Sequence, residues 1–339
     1  MKKAIRLGII GCGGFVRYHV RHINEHVPEL KIVALCDIVR EHAEKLDKDM
    51  LGGKKPPIYL NYRRMLRKEK LDAVHVSTPH TLHFRHAYDS LAAGCHVMVD
   101  KPMVTNSAQA RKLVAKAKQM RRHLSVAIQG THTETFAYSR QLLSDGSLGK
   151  QQLVTGVLAQ GWMKGTRGRW RQDPALSGGG QLYDSCAHVI GSMLYLVNSD
   201  PVEVFCWADN CGCQVDINAV ACLKFANGCM GTITSGGNCN SWKSHLIFQC
   251  EHAKLEISPH GGDFSVQGRK DNMSFEMRSV PAKWKVPGVT PARNFADAIL
   301  GKAKLRCTGE LGIRMADLMD GIYASVRTGK PVKLRAKKS

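Results

Sequence analysis

Ala4-Ile5-Arg6-Leu7-Gly8-Ile9-Ile10-Gly11-Cys12-Gly13-Gly14-Phe15-Val16 decides the fold. Ala4 to Ile10 is an apolar run broken only by Arg6, the length of one buried strand, and it feeds directly into the glycines. A strand, a tight glycine turn and a helix in immediate succession form the context in which backbone amides cradle a pyrophosphate. Gly11 permits the tight turn and Gly13 lets the main chain approach a pyrophosphate. From about Phe15 to His26 the pattern predicts a helix whose first amides, at Phe15 and Val16, point at the phosphates. Val16 stands where the fingerprint has its third glycine, so this helix is expected to lie less closely on its strand.

Moving outward, Lys31 to Cys36 is a second apolar strand, and it ends at Asp37. An acidic residue there accepts hydrogen bonds from the adenosine ribose and favours NAD. Arg40 keeps NADP open, because an arginine nearby accommodates a 2′-phosphate. Leu71 to Val76 reads as a strand that stops at Ser77-Thr78-Pro79-His80, with His83 on the following helix. Cys95 to Val99 reads as another, terminating in Asp100-Lys101-Pro102. Ligands of open parallel sheets bind outside the carboxyl ends of the strands, so these polar groups are expected around the cofactor. By itself Lys101 is equally a surface lysine paired with Asp100.

Near the middle, Ser177-Gly178-Gly179-Gly180-Gln181-Leu182-Tyr183-Asp184-Ser185-Cys186-Ala187-His188 opens into a helical pattern that puts Asp184 and His188 one turn apart. Side chains four apart share a helix face, so a carboxylate and an imidazole could enter one cleft, and imidazole suits proton transfer near neutral pH. Gly178 to Gly180 are expected to bring the chain close to that cleft and start the helix there. Alone, the pair is equally an ordinary helix-surface couple. Just upstream, Lys164, Arg167, Arg169 and Arg171 cluster between Trp162 and the glycine run, with Trp170 among them.

At 339 residues the chain can hold two domains, each with its own core. Its 49 Lys and Arg against 28 Asp and Glu give a formal net charge of +21. The basic residues are spread along helical stretches without a nucleic-acid motif, so salt-sensitive background attraction is expected but no specific nucleic-acid partner. The 12 cysteines sit mostly in apolar stretches, as reduced buried thiols do. Cys211-Gly212-Cys213 with Cys206 is the one cluster; it lacks histidines at matched spacing, and no metal is expected. No stretch is apolar for long enough to span a membrane, and the N-terminal run is too short for a signal-peptide core. A soluble cytoplasmic protein is the expectation.

From Gln151 onward come strand-like runs, including Leu153 to Ala159, Val202 to Ala208, Ala219 to Phe225, Met230 to Ser235 and His245 to Cys250. Asn227-Gly228 marks a hairpin turn between two of them. A large, mostly antiparallel sheet follows, one face on helices. Val157, Val204 and Phe225 suggest an apolar opposite face covered by another subunit.

Taken in order and spacing, Gly11-Cys12-Gly13-Gly14, Ser77-Thr78-Pro79 with His83, Asp100-Lys101-Pro102, Trp170-Arg171, and Gly178 to Gly180 with Asp184 and His188 resemble the Gfo/Idh/MocA oxidoreductases. The C-terminal Asn294 to Ile299 and Tyr323 to Val332 look like that family's closing helices and strand. The resemblance implies an α/β protein: an NAD(P)-binding Rossmann domain with a doubly wound parallel sheet over 1–128, then an α+β substrate and oligomerisation domain with a large, mostly antiparallel open sheet over 129–339. It implies a nicotinamide-dependent dehydrogenase of a sugar, cyclitol or sugar derivative, working as a homodimer or homotetramer. Lys101, Asp184 and His188 match the catalytic set. The cofactor set is Gly11, Gly13, Gly14, Phe15, Val16, Asp37, Ser77, Thr78, Pro79, His80, His83, Asp100, Lys101, Gln129, Trp170 and Arg171. Two departures stand out: Asp100 replaces the usual Glu, and Val16 the usual small residue. For substrate, Trp162 is a candidate for stacking on a sugar ring, or else a buried interdomain residue. Lys164, Arg167 and Arg169 are candidates for an anionic group on the sugar, or else plain solvated charges. The alternative chemistry is a redox-neutral NAD-dependent glycosidase or lyase acting through transient oxidation of a ring hydroxyl. Intact Lys101, Asp184 and His188 argue against a non-catalytic sensor.

Overall fold

A computed structural model describes residues 4–270 and 273–334. By packing the described residues divide into two compact units, the first made of 4–104, 108–127 and 290–310, the second of 105–107, 128–270, 273–289 and 311–334.

The first unit alternates strands and helices: β1 (Ile5–Ile10), α1 (Val16–His26), β2 (Leu30–Cys36), α2 (Arg40–Leu46), β3 (Ile58–Tyr59), α3 (Tyr62–Lys68), β4 (Ala73–Val76), α4 (His83–Ala92), β5 (His96–Asp100), α5 (Ser107–Gln119) and β6 (Leu124–Ala127). The sheet runs β3-β2-β1-β4-β5-β6, and every pairing in it is parallel. β4 and β6 are buried at every residue, and β5 at all but its first, as strands covered on both faces must be. The strand order reverses between β1 and β4, and this switch point collects the loops after β1, β4 and β5 at one edge.

The second unit holds α6 (Glu134–Ser144), β7 (Gln151–Ala159), α7 (Trp162–Thr166), α8 (Pro174–Ser177), α9 (Cys186–Val197), β8 (Pro201–Asp209), β9 (Asn218–Phe225), β10 (Met230–Gly236), β11 (Lys243–Cys250), β12 (Ala253–Ile257), β13 (Phe264–Lys270) and β14 (Met273–Met277). After α10 (Pro291–Ile299), α11 (Gly309–Thr328) and β15 (Val332–Lys333) complete it. Its nine-stranded sheet is ordered β14-β13-β12-β11-β7-β10-β9-β8-β15, and only β7 and β10 pair parallel. Gly228, at positive φ, turns the hairpin from β9 to β10.

Burial alternates along β9, so one sheet face is covered and the other open. α9, buried at every residue, lies on the covered face, where Gly156 makes room: a Cβ there would meet Val189 at 2.7 Å and Met193 at 2.9 Å. Val204 and Phe225 also face this side, at 1% and 3% exposure, contrary to the sequence reading that gave them to the opposite face. Val204 packs beside Gly321 of α11, and Phe225 shares the buried phase of β9 with Ala221 and Leu223. The open face instead carries Leu153 opposite Met230 and Trp207 opposite Val220, all exposed.

α10 belongs to the first unit although the sequence reading ran the second domain from 129 to the C-terminus. Its Ala292, Phe295 and Ala296 enter one apolar cluster with Ile5 and Leu7 of β1, Ile23 of α1 and Met98 of β5. Arg293 fastens it, donating to Glu29 at 2.6 Å and to both Asp297 carboxylate oxygens.

Candidate active site

The nucleotide turn is built from backbone. Gly11 has φ +95°, and a Cβ there would collide with the carbonyl of Ser77 and approach Thr78 Cγ2 to 2.9 Å. Only glycine lets the loop after β1 press against the loop after β4. Gly13 and Gly14 are the opposite case, since a Cβ on either would meet no protein atom within 4 Å. That open space over bare amides suits a pyrophosphate. Val16, in the third glycine's place, is wholly buried with Ile9, Cys12, Val20 and Leu35, so its methyls are absorbed in the core under α1. Asp37 leaves the end of β2 with one carboxylate oxygen accepting from the Cys12 amide at 2.7 Å and the other from the Val39 amide at 2.9 Å. Arg40 is exposed and pairs with Glu44. These residues fit a dinucleotide whose adenosine ribose meets Asp37.

At the ends of β4 and β5 a hydrogen-bonded hub forms around Asp100. Its Oδ1 lies 3.0 Å from His75 Nε2 and 3.1 Å from His19 Nε2, while Oδ2 accepts from the Ser77 hydroxyl. All but Ser77 are buried. Burial would raise the Asp100 carboxyl, but the charges and hydrogen bonds of His75 and His19 outweigh it and hold Asp100 well below the usual carboxylate range. His83, wholly buried, spans the Thr78 carbonyl at 2.7 Å and the Pro102 carbonyl at 2.8 Å. Both ring nitrogens thus face main-chain oxygens, and His83 ties the β4 loop to the β5 loop. Lys101, next to the hub, is buried and is joined to Pro102 by a cis peptide. His80 is buried at the start of the turn before α4, and Thr78 Oγ1 lies 3.1 Å from His86 Nδ1.

In the second unit Asp184 is not on the helix that carries His188. The chain from Gln181 to Ser185 is a turn, and α9 begins at Cys186, with His188 in its first turn. This segment is anchored by Asp216, which the sequence reading passed over. Its carboxylate accepts from the amides of Gly180 at 2.7 Å and Leu182 at 2.9 Å, and its carbonyl accepts from Gln181 at 2.9 Å. Tyr323 donates to the same carboxylate at 2.5 Å. Those three amides would lack intrahelical partners at the start of any helix, so Asp216 anchors them from outside; the regular pattern breaks just after, where Cys186 N–H donates to the Gln181 carbonyl, five residues back, and His188 N–H to the Ser185 carbonyl, three back. The glycines serve this anchorage: a Cβ on Gly180 would overlap the Asp216 backbone, and one on Gly179 would overlap Tyr323. Gly178, at φ +74°, ends α8 as a left-handed cap.

Held there, the Asp184 carboxylate is buried and accepts on Oδ2 from Trp162 Nε1 at 2.7 Å and Arg171 Nε at 2.8 Å. Arg171 also lies over the Trp170 ring at 4.5 Å. Trp162 is packed with Val215 and Ile217, so its indole N–H, not its ring face, serves the site. Lys164, Arg167 and Arg169 are exposed and enter no ion pair among the described residues. Gln129 is half-buried at the head of a short turn whose Gln129 carbonyl accepts from His132. The His188 ring stands edge-on to His260, centroids 4.9 Å apart.

The sequence model described as "Oxidoreductase family, NAD-binding Rossmann fold" matches residues 5–128, and that of the "GFO/IDH/MocA C-terminal domain" matches 136–256. The chain belongs to the Gfo/Idh/MocA oxidoreductase family. Its first unit is therefore this family's NAD-binding domain. The chain is 27% identical over 184 residues to dTDP-3,4-didehydro-2,6-dideoxy-alpha-D-glucose 3-reductase of Saccharopolyspora spinosa, covering 54% of this chain and 53% of that one. It is 26% identical over 205 residues to D-glucoside 3-dehydrogenase of Escherichia coli K12, covering 59% and 56%. The chain thus spans a little over half the length of these relatives. The WlbA dehydrogenase of Bordetella pertussis, solved with NADH and UDP-GlcNAcA, shares the Gfo/Idh/MocA fold with a TM-score of 0.82 at 21% identity, over 98% of this chain and 99% of that one.

Of the functional residues, Asp216, His19, His75 and His260 were missed by sequence reading. Asp216 alone left a signal, a carboxylate between two branched apolar residues, Val215 and Ile217.

Proposed function

We propose that this protein is an NAD-dependent dehydrogenase that oxidises a secondary alcohol of a sugar, cyclitol or sugar derivative, or reduces the matching ketone. The observation that carries the reading is the buried Asp184 carboxylate, held by Trp162 and Arg171 one short turn before His188. Two donors of fixed position hold this buried carboxylate in one orientation, and a carboxylate is the natural acceptor for substrate hydroxyls. His188 takes the hydroxyl proton, a task for which a neutral imidazole is suited. Lys101 supplies the ammonium that stabilises alkoxide character as it develops. Asp184 orients the neighbouring hydroxyl and steadies the protonated His188. NAD, held by the Gly11 to Gly14 turn and Asp37, supplies the hydride acceptor when bound. The alcohol carbon loses a hydride and its oxygen loses a proton, giving a ketone, so charge and electrons balance.

The open apolar sheet face of Leu153, Trp207, Val220 and Met230 supports assembly into a homo-oligomer through that face. The thiol-rich composition supports a reducing, cytoplasmic setting; among the described residues no disulfide is formed, and no helix is long and apolar enough to cross a membrane. An anionic sugar group is the ligand to which exposed Lys164, Arg167 and Arg169 are suited.

The deciding experiment is a panel of glycosides, uronates and polyols with NAD and with NADP, following reduced cofactor and released aglycone together. Reduced cofactor in proportion to ketone is expected, with NAD preferred. Aglycone release without net reduced cofactor would establish the redox-neutral chemistry instead.

A further inference from the structure

We propose that Trp242 and His260 form an aromatic subsite that receives a ring attached to the sugar being oxidised, so that the preferred substrate is a glycoside with a ring-bearing aglycone or a second sugar rather than a free monosaccharide. The proposal rests on His188 being the proton acceptor at the reacting hydroxyl.

Three rings stand in a row. His188 meets His260 edge-on at 4.9 Å and 62°, and His260 meets Trp242 edge-on at 5.1 Å and 75°. Trp242 is 59% exposed and His260 is exposed, whereas His188 is buried. The row therefore runs from the site of chemistry towards solvent. Edge-on packing leaves ring faces for a further partner, and the face of a sugar ring, lined with C–H groups, is the complement of an indole face.

Both residues are on supports that do not need to rearrange. His260 sits in the β12–β13 turn, which closes with Ser258 N–H donating to the Asp263 carbonyl at 3.0 Å and Gly261 N–H to the Ser258 carbonyl at 3.1 Å. Gly261 and Gly262 take the positive φ angles, +92° and +97°, that this turn demands. The imidazole is then oriented by Ser244 Oγ, 2.7 Å from its Nδ1. Trp242 directly precedes β11, and its loop is fixed at its start by the Gly237 amide on Asn218 at 3.0 Å and by Cys239 on the Gln160 carbonyl. Trp242 presents a large exposed indole from an ordered loop, whereas the exposed Trp207 lies on the open sheet face and touches Phe205. Trp242 is separated from His188 by one imidazole, which places it beside the group next to the oxidised ring.

The test compares phenyl β-D-glucopyranoside and cellobiose with methyl β-D-glucopyranoside, using NAD and the wild type, Trp242→Ala and Trp242→Phe proteins. The wild type is expected to favour the two ring-bearing glycosides by about tenfold in kcat/KM, carried by KM, which is the size of one good ring contact. Trp242→Ala brings that ratio towards one, and Trp242→Phe restores most of it. An unchanged ratio, or an equal fall for all three sugars, overturns the subsite. Calorimetric titration of phenyl glucoside into the NADH-loaded proteins separates this from the reading beneath it. Binding weakened by Trp242→Ala without any turnover sinks the dehydrogenase and keeps the subsite; no binding to the wild type sinks the subsite.

Discussion

Two glycine-rich turns lead into two helices here, and they use their glycines for opposite ends. Around Gly13 and Gly14 the space where side chains would stand is empty of protein. Around Gly179 and Gly180 it is filled, by Tyr323 and by the Asp216 backbone. The first turn is shaped for a ligand to approach its amides. The second has its amides already satisfied by Asp216, and what it presents is a side chain, Asp184, whose position the anchorage fixes. A run of glycines is thus read by what occupies the missing Cβ position, not by its composition.

In the proposed reaction the chemistry belongs to His188, just after the second turn, and to Lys101, after β5, and none belongs to the turn's backbone. Lys101→Ala and His188→Ala should each lower kcat by about 10²- to 10⁴-fold, the range for loss of a proton-transferring or charge-stabilising group. Steady-state assay on any substrate found by the panel checks this, and near-wild-type turnover would overturn the assigned roles.

Gly180→Ala and Gly13→Ala set the two turns against each other directly. Gly180→Ala must displace the Asp216 backbone and should cost about 3 kcal/mol or more of stability. Gly13→Ala has open space and an ordinary φ, so it should stay within about 0.5 kcal/mol of wild type. Its effect belongs in NAD affinity, measured by titration of cofactor fluorescence. Equal destabilisation by the two substitutions would erase the distinction.

Asp216→Asn keeps the shape of the anchor but removes its charge from two amides and the Tyr323 hydroxyl, for an expected loss of about 1–3 kcal/mol in denaturant unfolding. Trp162→Phe, which leaves Asp184 one donor short, should cost a similar or smaller amount in transition-state stabilisation, about 1–2 kcal/mol, read as a fall in kcat/KM.

The smallest effect belongs to the first unit. Since Asp100 has its folded value pulled below the unfolded one, about 3.9, the ionised hub stabilises the fold at all pH above that value. That contribution is lost as pH falls through the lower folded value. Thermal melts from pH 6 to pH 2 should show an acid slope that Asp100→Asn flattens; an identical slope in the variant would show that the hub is not its source.

How much of this was readable without coordinates differs between the turns. Strand, glycine turn and helix at Ile5–His26, and Asp37 closing the second strand, follow from period and from glycine's backbone freedom, which are properties of neighbours in the chain. The same logic misplaced Asp184 on the helix of His188, because its spacing fitted a helical period while the backbone there follows a turn, with Cys186 donating to Gln181 five residues back and the segment anchored by Asp216, 32 positions from Asp184. Val204 and Phe225 were assigned the wrong sheet face for a related reason: a strand's apolar residues name its buried side only once it is known which side the helices cover.

The sequence by itself therefore determined the parallel nucleotide-binding sheet and the large antiparallel sheet, and it named Lys101, Asp184 and His188 as candidates, since hydrophobic period and motif spacing are written locally. Tertiary structure alone decided that Trp162 and Arg171 clamp Asp184, that Asp216 sets the turn beneath it, and that His19 and His75 meet on Asp100. Those are hydrogen bonds of buried charges, and such charges must find partners wherever the fold brings donors to them, at separations no local pattern records.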